Sequence, residues 1–131
     1  MMRPAVGVGV FVKKDGRILL QKREGAHGSG TWGLPGGHME YGETPEETAA
    51  REAKEEFNIL IKNPRVVGLT NDVHKSEGKH YVSIFVEAEY ASGDVKLNDS
   101  NSVEFRWCSL DELPQPLFQP LKDFVENRRL L

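Results

Sequence analysis

The sequence predicts an α+β domain, a mixed β-sheet packed between helices, and three observations carry that expectation. Two β-rich blocks, "AVGVGVFVKKDGRILLQKR" and "RVVGLTNDV" through "HYVSIFVEAEY", flank a segment with helical start and stop signals. A further strand pattern, "SVEFRWCSL", precedes a final stretch with apolar residues at helical spacing. At 131 residues, with 38% hydrophobic and 28% charged residues, the chain has the size of one globular domain, spanning 1–131.

The first block reads as a hairpin around Asp15-Gly16, a turn dipeptide between apolar runs. Residues 24–31, rich in glycine and short polar side chains, read as a mobile loop bordering a ligand, followed by a short strand over 32–34. Thr44, Pro45 and Glu47 have the form of a helix start: an N-cap, a proline at the first helical position and an acid placed to complete a capping box. That helix is expected to reach about Phe57, with Asn58 in the left-handed position that closes it. Ala50, Ala53, Lys54 and Phe57 recur on the side turned from most of the glutamates, where small alanines let the helix lie close to a sheet. "SLDELP" reads as a capped helical turn. "QPLKDFVENRRLL" reads as a terminal helix offering Leu121, Phe124, Val125 and Leu130 to the core.

Composition narrows the partners. A net charge of −3 argues against nucleic-acid polymers, whose backbone asks for a basic patch, but leaves small phosphorylated ligands open if a metal ion supplies positive charge. The single cysteine, Cys108, excludes an internal disulfide framework and fits a reducing cytoplasm. The apolar N-terminal run alternates with glycine and enters a turn, so it reads as a strand rather than a signal peptide. No segment approaches the ~20 apolar residues of a membrane helix, so no membrane partner is expected.

The stretch "GGHMEYGETPEETAAREAKEEFNI" holds seven acidic residues against two basic ones. On a helix, Glu52, Glu55 and Glu56 stand at i, i+3 and i+4, where each like-charge pair costs a few tenths of a kcal/mol. A solvated charged face is the plain explanation. The shortage of nearby basic residues and the preceding Pro-Gly-Gly favour a second: a hard divalent cation such as Mg²⁺, which takes oxygen ligands and keeps waters for a phosphate to replace. Glu52 and Glu56, one turn apart, can reach one ion, and Glu55 can share it or serve another. Gly36 and Gly37, in a Pro-Gly-Gly read as a turn, would bring backbone close to the metal and phosphates, or else form a plain tight turn or bulge.

These residues resemble a known family. Gly37, five residues, Glu43, seven residues and then "REAKEEFNI" follow the Nudix box G-x5-E-x7-R-E-U-x-E-E-x-G-U, where U is a bulky aliphatic residue. Gly37, Glu43, Arg51, Glu52, Glu55, Glu56 and Ile59 match. Ala53 replaces the bulky aliphatic and Asn58 the last glycine, and neither is a ligand position. "GVGVFV", "LLQKREGAHGSGTWGLPGGHMEYGET", "HYVSIFV" and "RWCSLDELP" extend the likeness over nearly the whole chain, toward MutT-type nucleoside triphosphate diphosphatases.

The resemblance implies a Nudix fold, a Mg²⁺ or Mn²⁺ requirement and hydrolysis of a nucleoside diphosphate linked to another group. It implies Glu52 and Glu56 as main metal ligands, with Glu55 as a further ligand or proton acceptor; the identity of the general base stays open. Arg51 resembles the arginine that pairs with Glu43 and braces the loop against the helix. Arg23 resembles a phosphate-contacting arginine, or else is a solvated surface charge at the end of a strand, and His38 resembles a residue near substrate or metal-bound water, or else is a structural hydrogen-bonding histidine. Glu104 stands where some relatives add a carboxylate to the metal cluster, although a strand would equally turn it to solvent. Trp32, Tyr81, Trp107 and Phe118 are aromatic candidates for base stacking or for the core.

The expected activity is therefore conversion of a (d)NTP, standard or oxidised, to the monophosphate and pyrophosphate. The alternatives are hydrolysis of ADP-ribose, nucleotide sugars or dinucleotide polyphosphates, and a catalytically silent nucleotide-binding regulator. A small nucleotide is the expected partner, and a homodimer is left open.

Overall fold

The computed structural model describes residues 3–25, 28–98 and 102–128. Its centre is β1 (Ala5–Lys14), whose alternating side chains feed two separate cores. Val8, Val10 and Val12 face one side and Phe11 the other, so β1 is covered on both faces. β2 (Arg17–Arg23) follows through Asp15 and Gly16, both at positive φ (51° and 77°), the geometry a two-residue hairpin demands. Leu19 joins the valine side, and Ile18 and Leu20 the opposite one.

β1 pairs in parallel with β6 (Lys79–Ser92), from Ala5↔Tyr81 to Lys13↔Glu89, and β6 pairs antiparallel with β5 (Leu60–His74). A single turn of 3₁₀ helix, Lys75–Glu77, joins these two long strands. On the other side β2 pairs with β3 (Trp32–Gly33) and with β7 (Ser102–Ser109). The resulting seven-stranded sheet is mixed, as predicted.

Helix α1 (Pro45–Phe57) covers the valine face. Its capping box is complete: Glu47 N donates to Thr44 Oγ1 at 3.1 Å, and Thr44 N donates to Glu47 Oε1 at 2.9 Å. Such a cap is worth about 1 kcal/mol. Asn58 closes the helix at φ 61°. Helix α2 (Gln119–Arg128) covers the opposite face with Leu121 and Phe124, the latter stacked on Phe85 at 4.3 Å between centroids, while Val125 packs partly buried beside them. The helix, sheet, helix layering is the α+β arrangement the sequence implied.

Four local expectations need correction. The strand expected over 32–34 ends at Gly33, and the Pro-Gly-Gly read as a turn leads into a strand of its own, β4 (Gly36–His38), paired antiparallel with Gly7, Val8 and Gly9 of β1. The buried face of α1 is Thr48, Ala49, Ala53 and Phe57; Ala50 and Lys54 are not among its buried residues, because the i, i+4, i+8 row that meets the sheet starts one residue earlier. "SLDELP" makes a turn rather than a helix: Glu112 N donates to Ser109 O and Asp111 N to Ser109 Oγ, and Pro114 follows too soon for a helix to grow. Leu130, expected in the core, lies outside the described residues, as do Ala26 and His27 of the 24–31 loop.

Candidate active site

The rotation of α1 decides what its acids meet. Because Ala49, Ala53 and Phe57 pack on the sheet, Glu52 and Glu56 lie at the edge of the packed face, and Glu55 points outward. The Glu52 side chain is 12% exposed and that of Glu55 58%, so the three carboxylates do not share one environment. Glu56 lines a cavity of about 400 Å³ between the sheet and the segments before and within α2.

β4 passes directly beneath the helix. A Cβ on Gly37 would stand 2.6 Å from the Glu52 carboxylate, and one on Gly36 would stand 1.9 Å from Val8 O. A side chain would thus be obstructed at both positions, at Gly37 by the movable end of the acid above and at Gly36 by the fixed backbone of the neighbouring strand. Both glycines and His38 line the same cavity as Glu56.

Arg51 organises the acids. Its Nε donates to Glu43 Oε2 at 2.7 Å and its Nη2 to Glu43 Oε1 at 3.1 Å, a two-pronged pair. Nη1 donates to Glu52 Oε1 at 2.7 Å, and Nη2 also reaches His38 O at 3.1 Å. One guanidinium therefore joins the loop before α1, the helix and β4. The hydrogen bond from Arg51 is the main reason the Glu43 carboxyl is held down to about 2 from its ordinary 4.5, with the Glu40 backbone and Thr48 hydroxyl assisting. Reciprocally, Glu43 raises the Arg51 guanidinium further above its ordinary value.

Across the cavity stand residues from β2, β5, β6 and the α2 end. Arg23 terminates β2 and lies over the Phe118 ring, 4.1 Å from its centroid. Gln21 is buried, donating to Leu34 O at 3.1 Å and accepting from the Ser102 hydroxyl. His38 is stacked parallel to Tyr81 at 5.9 Å, and His74 meets Tyr81 edge-on at 6.4 Å. His74, Lys79, Tyr81 and Ser83 reach the cavity from the hairpin of β5 and β6. Of these the sequence singled out only Tyr81; the others carry no local signal, since only the β5/β6 register and its parallel pairing with β1 bring them together.

The remaining expected positions fall elsewhere. Glu104 on β7 is half exposed, pairs with Arg106 at 3.3 Å and does not line the cavity. Trp32 is core, and Trp107 lies against Tyr90 and Lys14, off the cavity. Of the four aromatic candidates, Tyr81 and Phe118 reach the cavity.

Among the described residues no three His, Cys, Asp or Glu side chains converge in metal-binding geometry. The donors nevertheless suit a hard cation: Glu52, Glu55 and Glu56 offer only carboxylate oxygens, and the Gly37 backbone beside Glu52 leaves room that any Cβ would fill. No helix among the described residues is long and apolar enough to cross a membrane.

The chain resembles known proteins in sequence and in fold. A family profile described as NUDIX domain matches residues 1–128. An ADP-ribose pyrophosphatase of Methanocaldococcus jannaschii is 33% identical over 127 residues, covering 95% of this chain and 75% of that protein. A MutT-like protein of Streptomyces ambofaciens is 36% identical over 107 residues, 82% of this chain and 64% of its own length. The crystal structure of a MutT NUDIX hydrolase from Burkholderia pseudomallei superposes with a TM-score of 0.89 at 33% identity, covering 95% of this chain and 98% of that one.

Proposed function

The chain belongs to the Nudix hydrolase family, and from that premise we propose that it is a divalent-metal-dependent pyrophosphohydrolase converting a (d)NTP to the monophosphate and pyrophosphate. The observation that supports this reading is the cavity itself. Glu56, Gly36, Gly37 and Arg23 line it together, and its volume of about 400 Å³ suits one nucleotide.

Glu52, Glu55 and Glu56 would hold the cation, Mg²⁺ or Mn²⁺. Bound there, it supplies positive charge to the phosphate oxygens and lowers the pKa of a coordinated water. Arg23 donates hydrogen bonds to a phosphate, its fork matching two oxygens. Gly36 and Gly37 keep side chains out of the phosphate path. One of the three glutamates takes the proton of the attacking water. Arg51, braced on Glu43, fixes Glu52 and the His38 carbonyl, and catalytic geometry tolerates little displacement of either. His38 and Tyr81 form a stacked wall against which the rest of the substrate lies.

A second substrate reading has its own support, since the Methanocaldococcus relative named ADP-ribose pyrophosphatase matches 95% of this chain. The chemistry at the diphosphate is common to both, so the residues around it do not separate them. Turnover of a panel of (d)NTPs, 8-oxo-dGTP and ADP-ribose with Mg²⁺, products resolved by chromatography, tests the proposal. Pyrophosphate plus a monophosphate is the expected result; AMP plus ribose 5-phosphate as the dominant product would replace it with the second reading, and no turnover of any nucleotide would defeat both.

A further inference from the structure

Phe118 has no counterpart in the acidic machinery, yet three features fix its ring beside Arg23. The segment before α2 is sewn to β3: Trp32 N donates to Pro116 O at 2.9 Å and Phe118 N to Trp32 O at 2.8 Å. Those bonds place the ring on the cavity wall, with the Arg23 guanidinium 4.1 Å from its centroid. Gly28, at φ 70°, then lies so near the ring that a Cβ there would stand 2.7 Å from Phe118 Cδ1. The loop closes above it through Gly30 N to Arg23 O and Arg23 N to Thr31 O, both 2.8 Å. A long arginine side chain ordinarily samples many rotamers, and ordering it opposes every hydrogen bond it makes. An aromatic face beneath the cation removes part of that freedom, and stacking uses the face of the guanidinium rather than its N–H groups.

The geometry points to Phe118 as a positioning residue that holds Arg23 in its phosphate-binding orientation, with Gly28 keeping the ring in place. This rests on the diphosphate reading above. It differs from the role an aromatic in a nucleotide pocket would otherwise be given, direct stacking on the base, because the ring acts through Arg23. The glycine-rich loop thereby gains a function of its own, since Gly28 is needed for ring contact as well as for its backbone angle.

The test is calorimetric binding of inorganic pyrophosphate with Mg²⁺, which contains no base to stack. Phe118→Leu should weaken binding about tenfold, Phe118→Tyr should stay within about twofold of the parent, and Gly28→Ala should shift in the same direction as the leucine variant. In an Arg23→Ala background, Phe118→Leu should change binding no further. Full persistence of its effect there, or parent-like binding by Phe118→Leu, would overturn the inference. Proton and nitrogen NMR reads the stack without ligand: the Arg23 Hε signal should be displaced upfield by the ring in the parent and in Phe118→Tyr, but not in Phe118→Leu. An undisplaced signal in the parent would overturn the stack whatever the enzyme does. A displaced signal with no pyrophosphate binding by the parent would instead defeat the diphosphate reading and, with it, the role for Phe118.

Discussion

Arg51 and Glu43 are eight residues apart, yet Nε to Oε2 is 2.7 Å and Nη2 to Oε1 is 3.1 Å, so a planar fork closes on a carboxylate across the first two turns of α1. The same guanidinium holds Glu52 and the His38 carbonyl. Lysine carries the charge but cannot span these acceptors. Arg51→Lys should therefore lower kcat/KM about 10- to 100-fold, close to the loss in Arg51→Ala, with far-ultraviolet circular dichroism unchanged. Near-parent activity in the lysine variant would show that charge alone suffices.

The depressed Glu43 carboxyl makes acid stability the readout of this pair. Folded, it titrates near 2; unfolded, near its ordinary 4.5. Its contribution is full above about 4.5 and is lost as pH falls toward 2, since the unfolded chain takes up the proton first. Urea unfolding of the parent and of Glu43→Gln at several pH values should show a deficit in the variant at neutral pH that narrows below 4.5 and closes near 2. A deficit independent of pH would assign the loss to packing instead.

The two glycines of β4 should fail differently. A Cβ at Gly36 meets Val8 O, a backbone atom that cannot turn aside, at 1.9 Å, so Gly36→Ala must break the pairing of β4 with β1 and should cost about 1–3 kcal/mol in urea unfolding. At Gly37 the obstacle is the end of the Glu52 side chain, 2.6 Å away, which can turn aside. Gly37→Ala should thus keep most of its stability and lose most of its turnover. Equal stability losses in the two variants would contradict this division.

Glu56 lines the cavity, whereas Glu104 sits half exposed on β7 beside Arg106. Glu56→Gln is expected to reduce kcat by at least about 100-fold, and Glu104→Gln to leave it within about twofold. EDTA should silence the parent and millimolar Mg²⁺ restore it. Turnover indifferent to EDTA would remove the metal from the proposal.

The sequence by itself determined the parts whose causes are local. The Asp15-Gly16 hairpin follows from residues that tolerate positive φ, the bounds of α1 from the Thr44 box and Asn58, and the spacing from Gly37 to Glu56 marks the acidic site. Tertiary structure decided the rest, because each remaining feature needs a partner distant in sequence. Gly36–His38 is a strand only because Gly7–Gly9 of β1 accepts it. Ala53 and Phe57 were legible as buried residues of α1, but packing against the sheet adds Thr48 and Ala49 rather than Ala50 and Lys54, and leaves the Glu52 side chain mostly covered and that of Glu55 exposed. The cavity wall of His74, Lys79, Tyr81 and Ser83 exists through the β5/β6 register and the parallel pairing of β6 with β1, alignments no local pattern encodes. Short-range chemistry fixes turns, caps and motif spacing, whereas the neighbours of a side chain across a sheet are chosen by the burial of two whole faces at once.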